Sequence, residues 1–411
     1  MARRLRRAGA RLGALVGSDA ATVRQSLGAL SISSIGDLLA GLTLGSITHT
    51  LDQLPGLLVL VPAAIGMRGN IFGALGSRLG TAIHAGTFTL SRRRDTVVGQ
   101  NVLASVALTL SISLALAFLA KAVAVAFGIP NTISVLDFML ISLLGGALSS
   151  VIVLLITLGV AARSVSKNWD LDNVAAPLVT AAGDVVTLPS LFLATYLVGL
   201  GWVSLVLSLV AAALSIAALV AALRAGLPVL HRIIRESLPV LLLAGTVDVL
   251  AGVTIEKRLE SFLVFPGLLV LVPPFLEDTG ALGGILSSRL SSKLHLGVIE
   301  PRNVPQRAAR GDFLLTFLYA VPVFVLLAVS ADIAATVVGL ETPGVGRMVA
   351  VSLIGGFLAT IFAVGIAYYG AIVSFRLGLD PDNHGIPLIT SSMDLIGAFA
   401  LILAIVLVGV G

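Results

Sequence analysis

An octapeptide that occurs twice constrains this chain more than any other feature. Pro55-Gly56-Leu57-Leu58-Val59-Leu60-Val61-Pro62 returns unchanged as Pro266-Gly267-Leu268-Leu269-Val270-Leu271-Val272-Pro273, 211 residues later. The same offset aligns Asp37 with Asp248, Gly41 with Gly252, Gly69 with Gly280, Arg78 with Arg289 and His84 with His295. An offset of 210 carries the match through Asp172-Asn173 and Asp382-Asn383, Pro177 and Pro387, Thr180 and Thr390, and Asp184 and Asp394. One module is written twice, and a doubled module in a membrane places a pathway between its copies.

The membrane assignment rests on composition. The chain is 57% hydrophobic and 11% charged, whereas a soluble domain carries roughly 25% charged residues. Apolar runs long enough to span a bilayer recur along the whole length. The expected fold is therefore an all-α polytopic membrane protein. With no cysteine, disulfides, thiolate catalysis and Cys-ligated zinc are excluded. The formal net charge of +5 is a topology signal, not a nucleic-acid one, because the cations gather in short loops and at the start of the chain.

Eleven spans can be drawn, at about 28–50, 55–78, 98–127, 136–161, 176–199, 202–223, 238–256, 263–289, 311–337, 348–374 and 386–410. The span at 202–223 has no counterpart. Two five-span modules joined directly would be inverted, and one linking span restores a common orientation. The expected symmetry is a pseudo-two-fold axis along the membrane normal. The organisation reads as a basic cytoplasmic segment (1–27), a first repeat (28–199), a linking helix with a basic loop (200–236) and a second repeat (237–411). Arg92, Arg93, Arg94, Arg163, Lys167, Arg224, Arg232, Arg235, Arg302, Arg307, Arg310 and Arg376 fall on one side. This places the amino terminus inside and the carboxy terminus outside, in the plasma membrane of a prokaryote. Loops of about 15–20 residues leave no room for a soluble regulatory domain.

Ionisable groups deep in a span mark function by default. Asp184 and Asp394 each lie about nine residues into a fifth span, roughly 14 Å of rise, near the middle of a core about 30 Å thick. Thr180 and Thr390 precede them by one helical turn on the same face. Two such faces meeting at the axis make an anionic, oxygen-lined constriction. Magnesium suits it, since that ion takes oxygen ligands and sheds water reluctantly. Asp37 and Asp248 form a second pair near the middle of the first spans, followed by Ala40-Gly41 and Ala251-Gly252. They line the same path, bind the cation at another depth, or hydrogen-bond a neighbouring helix. Asp172 and Asp382 read as helix N-caps or as a cytoplasmic vestibule. Glu277 and Asp278 occur only in the second copy, where the first has Gly66 and Met67. They make either a one-sided auxiliary ion site or a solvated pocket.

The Pro-x(6)-Pro segment followed by Gly69-Asn70, the Ser77-Arg78-Leu79 after it, and the fifth-span pattern Asp-Asn-x(3)-Pro-x(2)-Thr-x(3)-Asp resemble the membrane domain of the MgtE magnesium transporter family. The doubled form is similar to animal solute carriers with two MgtE-like domains. The resemblance implies five-span modules enclosing a central cation path, with Asp184 and Asp394 at the pore ion. Bacterial members also carry cytosolic sensor domains, and neither is found in this sequence. The expected function is transport of a divalent cation, Mg²⁺ with Mn²⁺ or another divalent as alternatives, through a pore that one chain builds as a pseudo-dimer. No organic cofactor and no nucleic-acid partner are expected, and the lipid bilayer is the surrounding medium. The competing readings are an intramembrane aspartyl protease, whose Gly-x-Gly-Asp pattern Ala181-Ala182-Gly183-Asp184 does not match, and an organic-solute carrier, which the 5% aromatic content disfavours.

Overall fold

The computed structural model describes residues 34–91, 93–167, 171–378 and 386–410. The basic segment 1–27, Arg92 and the second fifth-span cap at Asp382–Asn383 lie outside them. The chain is helical throughout, with no strand among the described residues. The first repeat comprises α1 (34–46), α2 (Thr48–Gln53), α3 (Leu57–His84), α4 (Val97–Ala126), α5 (Val135–Leu140), α6 (Gly146–Lys167) and α7 (Leu171–Thr195). A π-helical turn, Ile141–Gly145, joins α5 to α6. Then α8 (Trp202–Arg224) links the halves. The second repeat comprises α9 (Pro228–Glu256), α10 (Leu259–Val264), α11 (Gly267–His295), α12 (Arg307–Val338), α13 (Val345–Leu377) and α14 (Ile386–Val408).

Ten helices among the described residues are long and apolar enough to cross a membrane. They account for ten of the eleven expected spans; the remaining one, at 28–50, is described only from residue 34. The linking helix α8 packs on α4 and α5 of the first repeat. Asp172 falls in the first turn of α7.

Each octapeptide opens a helix that is buried on every side. Leu57 through Ala64, and Gly267 through Leu276, are all buried. Pro62 and Pro273 are tolerated inside α3 and α11 because neighbouring helices shield the interrupted backbone. What they are buried against was not apparent from their sequence. Helix α9 of the second repeat packs on α3 and α4 of the first, as well as on its own α14. A β-carbon on Gly252 would collide with the Val59 carbonyl oxygen and lie 2.7 Å from that of Leu58. A β-carbon on Gly41 of α1 would collide with the Val270 carbonyl oxygen. Gly41 matches Gly252, and Val59 matches Val270. Each repeat thus sends its first helix into the other repeat's octapeptide, and the halves are interlocked.

Glu256 fastens one of these crossings. Its carboxylate accepts from the backbone N–H groups of Gly56 (2.7 Å) and Leu58 (3.1 Å) at the start of α3. Those donors have no partner within their own helix. The matching position in the first repeat is Gly45, so the opposite crossing lacks this cap.

Candidate cation site

The crossings carry the acidic side chains to one region. Asp37 lies on α1, four residues before Gly41, and Asp248 lies at the same register on α9. The carboxyl group of Asp37 abuts that of Asp184 on α7. The carboxyl group of Asp248 abuts that of Asp394 on α14. Each pair therefore joins the first and fifth helices of one repeat. Asp184 and Asp394 lie within electrostatic reach of each other. The structure brings all four predicted aspartates into one electrostatic neighbourhood, as two pairs.

Asp37 is 1% exposed and Asp248 fully buried; no oxygen of either carboxylate makes a hydrogen bond of ordinary length, and Ser391 is the hydroxyl set against Asp248. One oxygen of the buried Asp184 is also without a partner. Buried carboxylates are normally paired or hydrogen-bonded, since desolvating a lone charge costs several kcal/mol. Among the described residues, no three acidic or histidine side chains converge to hold a bare metal ion.

The threonines are one turn from the aspartates, beside glycines of the second helices. A β-carbon on Gly69 would lie 3.6 Å from the Thr180 methyl, and one on Gly280 would lie 3.7 Å from Thr390 Cβ. The Thr390 hydroxyl donates to the Pro387 carbonyl at 3.1 Å. Arg78 donates to the Asn101 side chain at 2.7 Å, and Arg289 pairs with Asp312, which also takes Lys293 at 2.6 Å. These basic groups anchor helix ends away from the aspartates.

Glu277 and Asp278 join the acidic region on α11. Asp278 is buried and accepts from Ser34 at 3.2 Å, while its other oxygen is unpartnered. Glu277 is partly exposed. Behind the pairs, the fully buried guanidinium of Arg68 donates to Ser113 and Ser149, each at 3.2 Å, and keeps one nitrogen without an acceptor.

A polytopic helical bundle with unpartnered carboxylates buried among its spans has the features of an ion transporter. Comparison with known proteins agrees. A family model described as MgtE, divalent cation transporter, matches residues 61–194 and 272–404. The chain belongs to this family, as a transporter and not an enzyme. It is 26% identical to solute carrier family 41 member 3 of Rattus norvegicus, over 92% of this chain and 85% of that protein. It is 28% identical to member 3 of Mus musculus (90% and 80%) and 27% identical to member 2 of Homo sapiens (91% and 68%). No solved structure matches the chain significantly.

Proposed function

We propose that the protein carries Mg²⁺ across the membrane along a path between its two repeats, lined by Asp37 and Asp184 on one side and Asp248 and Asp394 on the other. The observation that carries this reading is the pair of buried first-helix aspartates, each unpartnered and each set against a fifth-helix aspartate. Four carboxylates placed as pairs attract a dication electrostatically without stripping its water, as the reluctance of magnesium to dehydrate requires. Thr180 and Thr390 complete the polar lining one turn away. Mn²⁺ and similar divalent ions would compete at such a site, because the selection is by charge and hydrated size.

The single chain supplies both halves of the path, so one pseudo-dimeric molecule suffices. The loop cations support an amino terminus in the cytoplasm, with the plasma membrane as the proposed location. The membrane potential then favours inward movement by about 2.3 kcal/mol per charge per 100 mV. Mg²⁺ uptake into liposomes reconstituted with the protein tests the reading. Asp184→Ala and Asp394→Ala are expected to reduce uptake to the background of empty liposomes while the protein stays folded. Wild-type uptake by the double variant would overturn the site.

A further inference from the structure

The two copies match closely at their four aspartates and diverge beside them. Gly66 on α3 corresponds to Glu277 on α11, and Met67 corresponds to Asp278. A β-carbon on Gly66 would lie 3.0 Å from Asp248 Oδ2 and 3.7 Å from Asp394 Oδ2. The matching register on α11 is Glu277, and the aspartates matching Asp248 and Asp394 are Asp37 and Asp184. The charge of Glu277 acts on both of the latter, and also on Asp248, Asp278 and Asp394. Where Met67 packs at Gly245, the opposite side has Asp278 receiving the Ser34 hydroxyl.

We propose that Glu277 converts the Asp37–Asp184 side into a divalent-cation station that the Asp248–Asp394 side lacks. This rests on the carboxylate-lined path proposed above and makes its two halves unequal. Three features of the site carry the argument. The first is the geometry, which sets a third carboxylate beside one aspartate pair and a bare glycine beside the other. The second is the state of the surrounding groups. Asp37 and Asp278 are each 1% exposed; Asp37 has no partner for either oxygen, and Asp278 has none for one. A cation between them would satisfy what the protein does not. The third is exposure: Glu277 is the partly open carboxylate on this side, where Asp37, Asp184 and Asp278 are sealed, as Asp394 is the partly open one on the other.

The occupant is a dication with part of its water shell. Each added carboxylate strengthens attraction in a low-dielectric setting, and a magnesium-like dication keeps several waters when one or two carboxylates hold it. The path thus has one strong station and one weak one, and an ion can be captured at the first and passed to the second. Conduction needs sites that bind well enough to admit the ion and weakly enough to release it.

Mn²⁺ titration of the full chain in lipid nanodiscs, read by electron paramagnetic resonance, tests the proposal alongside Mg²⁺ uptake. Glu277→Gln and Glu277→Gly are the informative variants. Glycine at this register is already accommodated in the first copy, so Glu277→Gly is expected to fold. Both should weaken Mn²⁺ binding by about tenfold, the effect of one lost charge contact of ordinary strength. Wild-type Mn²⁺ affinity in both variants would overturn the role of Glu277, even if Asp184→Ala abolishes uptake and so upholds the path. Undiminished uptake in Asp184→Ala and Asp394→Ala would instead remove the path itself.

Discussion

At the scale of single residues, the duplication separates the side chains that the two copies share from those they exchange. The aspartate pairs are the same in both copies, and Asp37, Asp248 and one oxygen of Asp184 make no hydrogen bond of ordinary length. Around Arg68 the copies differ, and the changes fill one another's space. Arg68, Ser113 and Gly146 of the first repeat correspond to Thr279, Phe324 and Gly356 of the second. The Phe324 ring lies directly over Gly356, as the Arg68 guanidinium lies over Gly146. Ser142 donates to the Ser113 carbonyl at 2.7 Å, and its counterpart Ser352 donates to the Phe324 carbonyl at 2.8 Å. A backbone contact is thus conserved beneath a complete exchange of side chains. We expect Ser113→Phe alone to overpack this site and destabilise the protein by about 1–3 kcal/mol. Adding Arg68→Thr should recover most of the loss, because the two residues share one space. Thermal unfolding of the two single variants and the double variant measures the coupling. Additive losses would show that the two sites do not exchange a shared volume.

At the scale of helices, the close crossings hold the halves together. α1 and α9 each run against the opposite repeat's octapeptide, and Gly41 and Gly252 allow backbone-to-backbone contact there. In lipid, where apolar surface gives little drive between helices, such close packing supplies much of the association. Gly252→Val is expected to force α9 away from α3 and displace Asp248 with it. The variant should melt at a lower temperature and lose uptake together. Unchanged melting would show that the crossing tolerates a side chain.

The sequence made part of this legible. The register of the octapeptides led to Asp37 and Asp248 at an offset of 211, and a one-residue change of offset led to Asp184 and Asp394, without structural knowledge. Which aspartates meet was not legible. Asp37 and Asp184 are well separated in sequence, and only the crossing of α1 brings them together. Ala40-Gly41 and Ala251-Gly252 announced close packing without naming the partner, since small residues record how near a neighbour comes and not its identity. Glu256 carried no signal either, because its counterpart Gly45 breaks the repeat at that point. Glu277 was visible as a departure between copies, and its meaning came from the Gly66 position it mirrors.

At the scale of the molecule, one chain carries both copies of the module. The linking span α8 is the helix expected to give them a common orientation, and the first helices, each run against the other repeat's octapeptide, tie the halves together. Fusion also frees the copies to diverge, which a homodimer cannot do. Glu277 and Asp278 are the acidic result of that freedom, and Arg68 is the basic one. The central claim is that a hydrated divalent cation passes between the aspartate pairs. A structure determined with Mn²⁺ present, with the ion located by its anomalous scattering, tests this most directly. The account predicts a peak among Asp37, Asp184, Asp248, Asp394 and Glu277, on the Asp37–Asp184 side. A peak elsewhere in the membrane region, with none among these carboxylates, would contradict it.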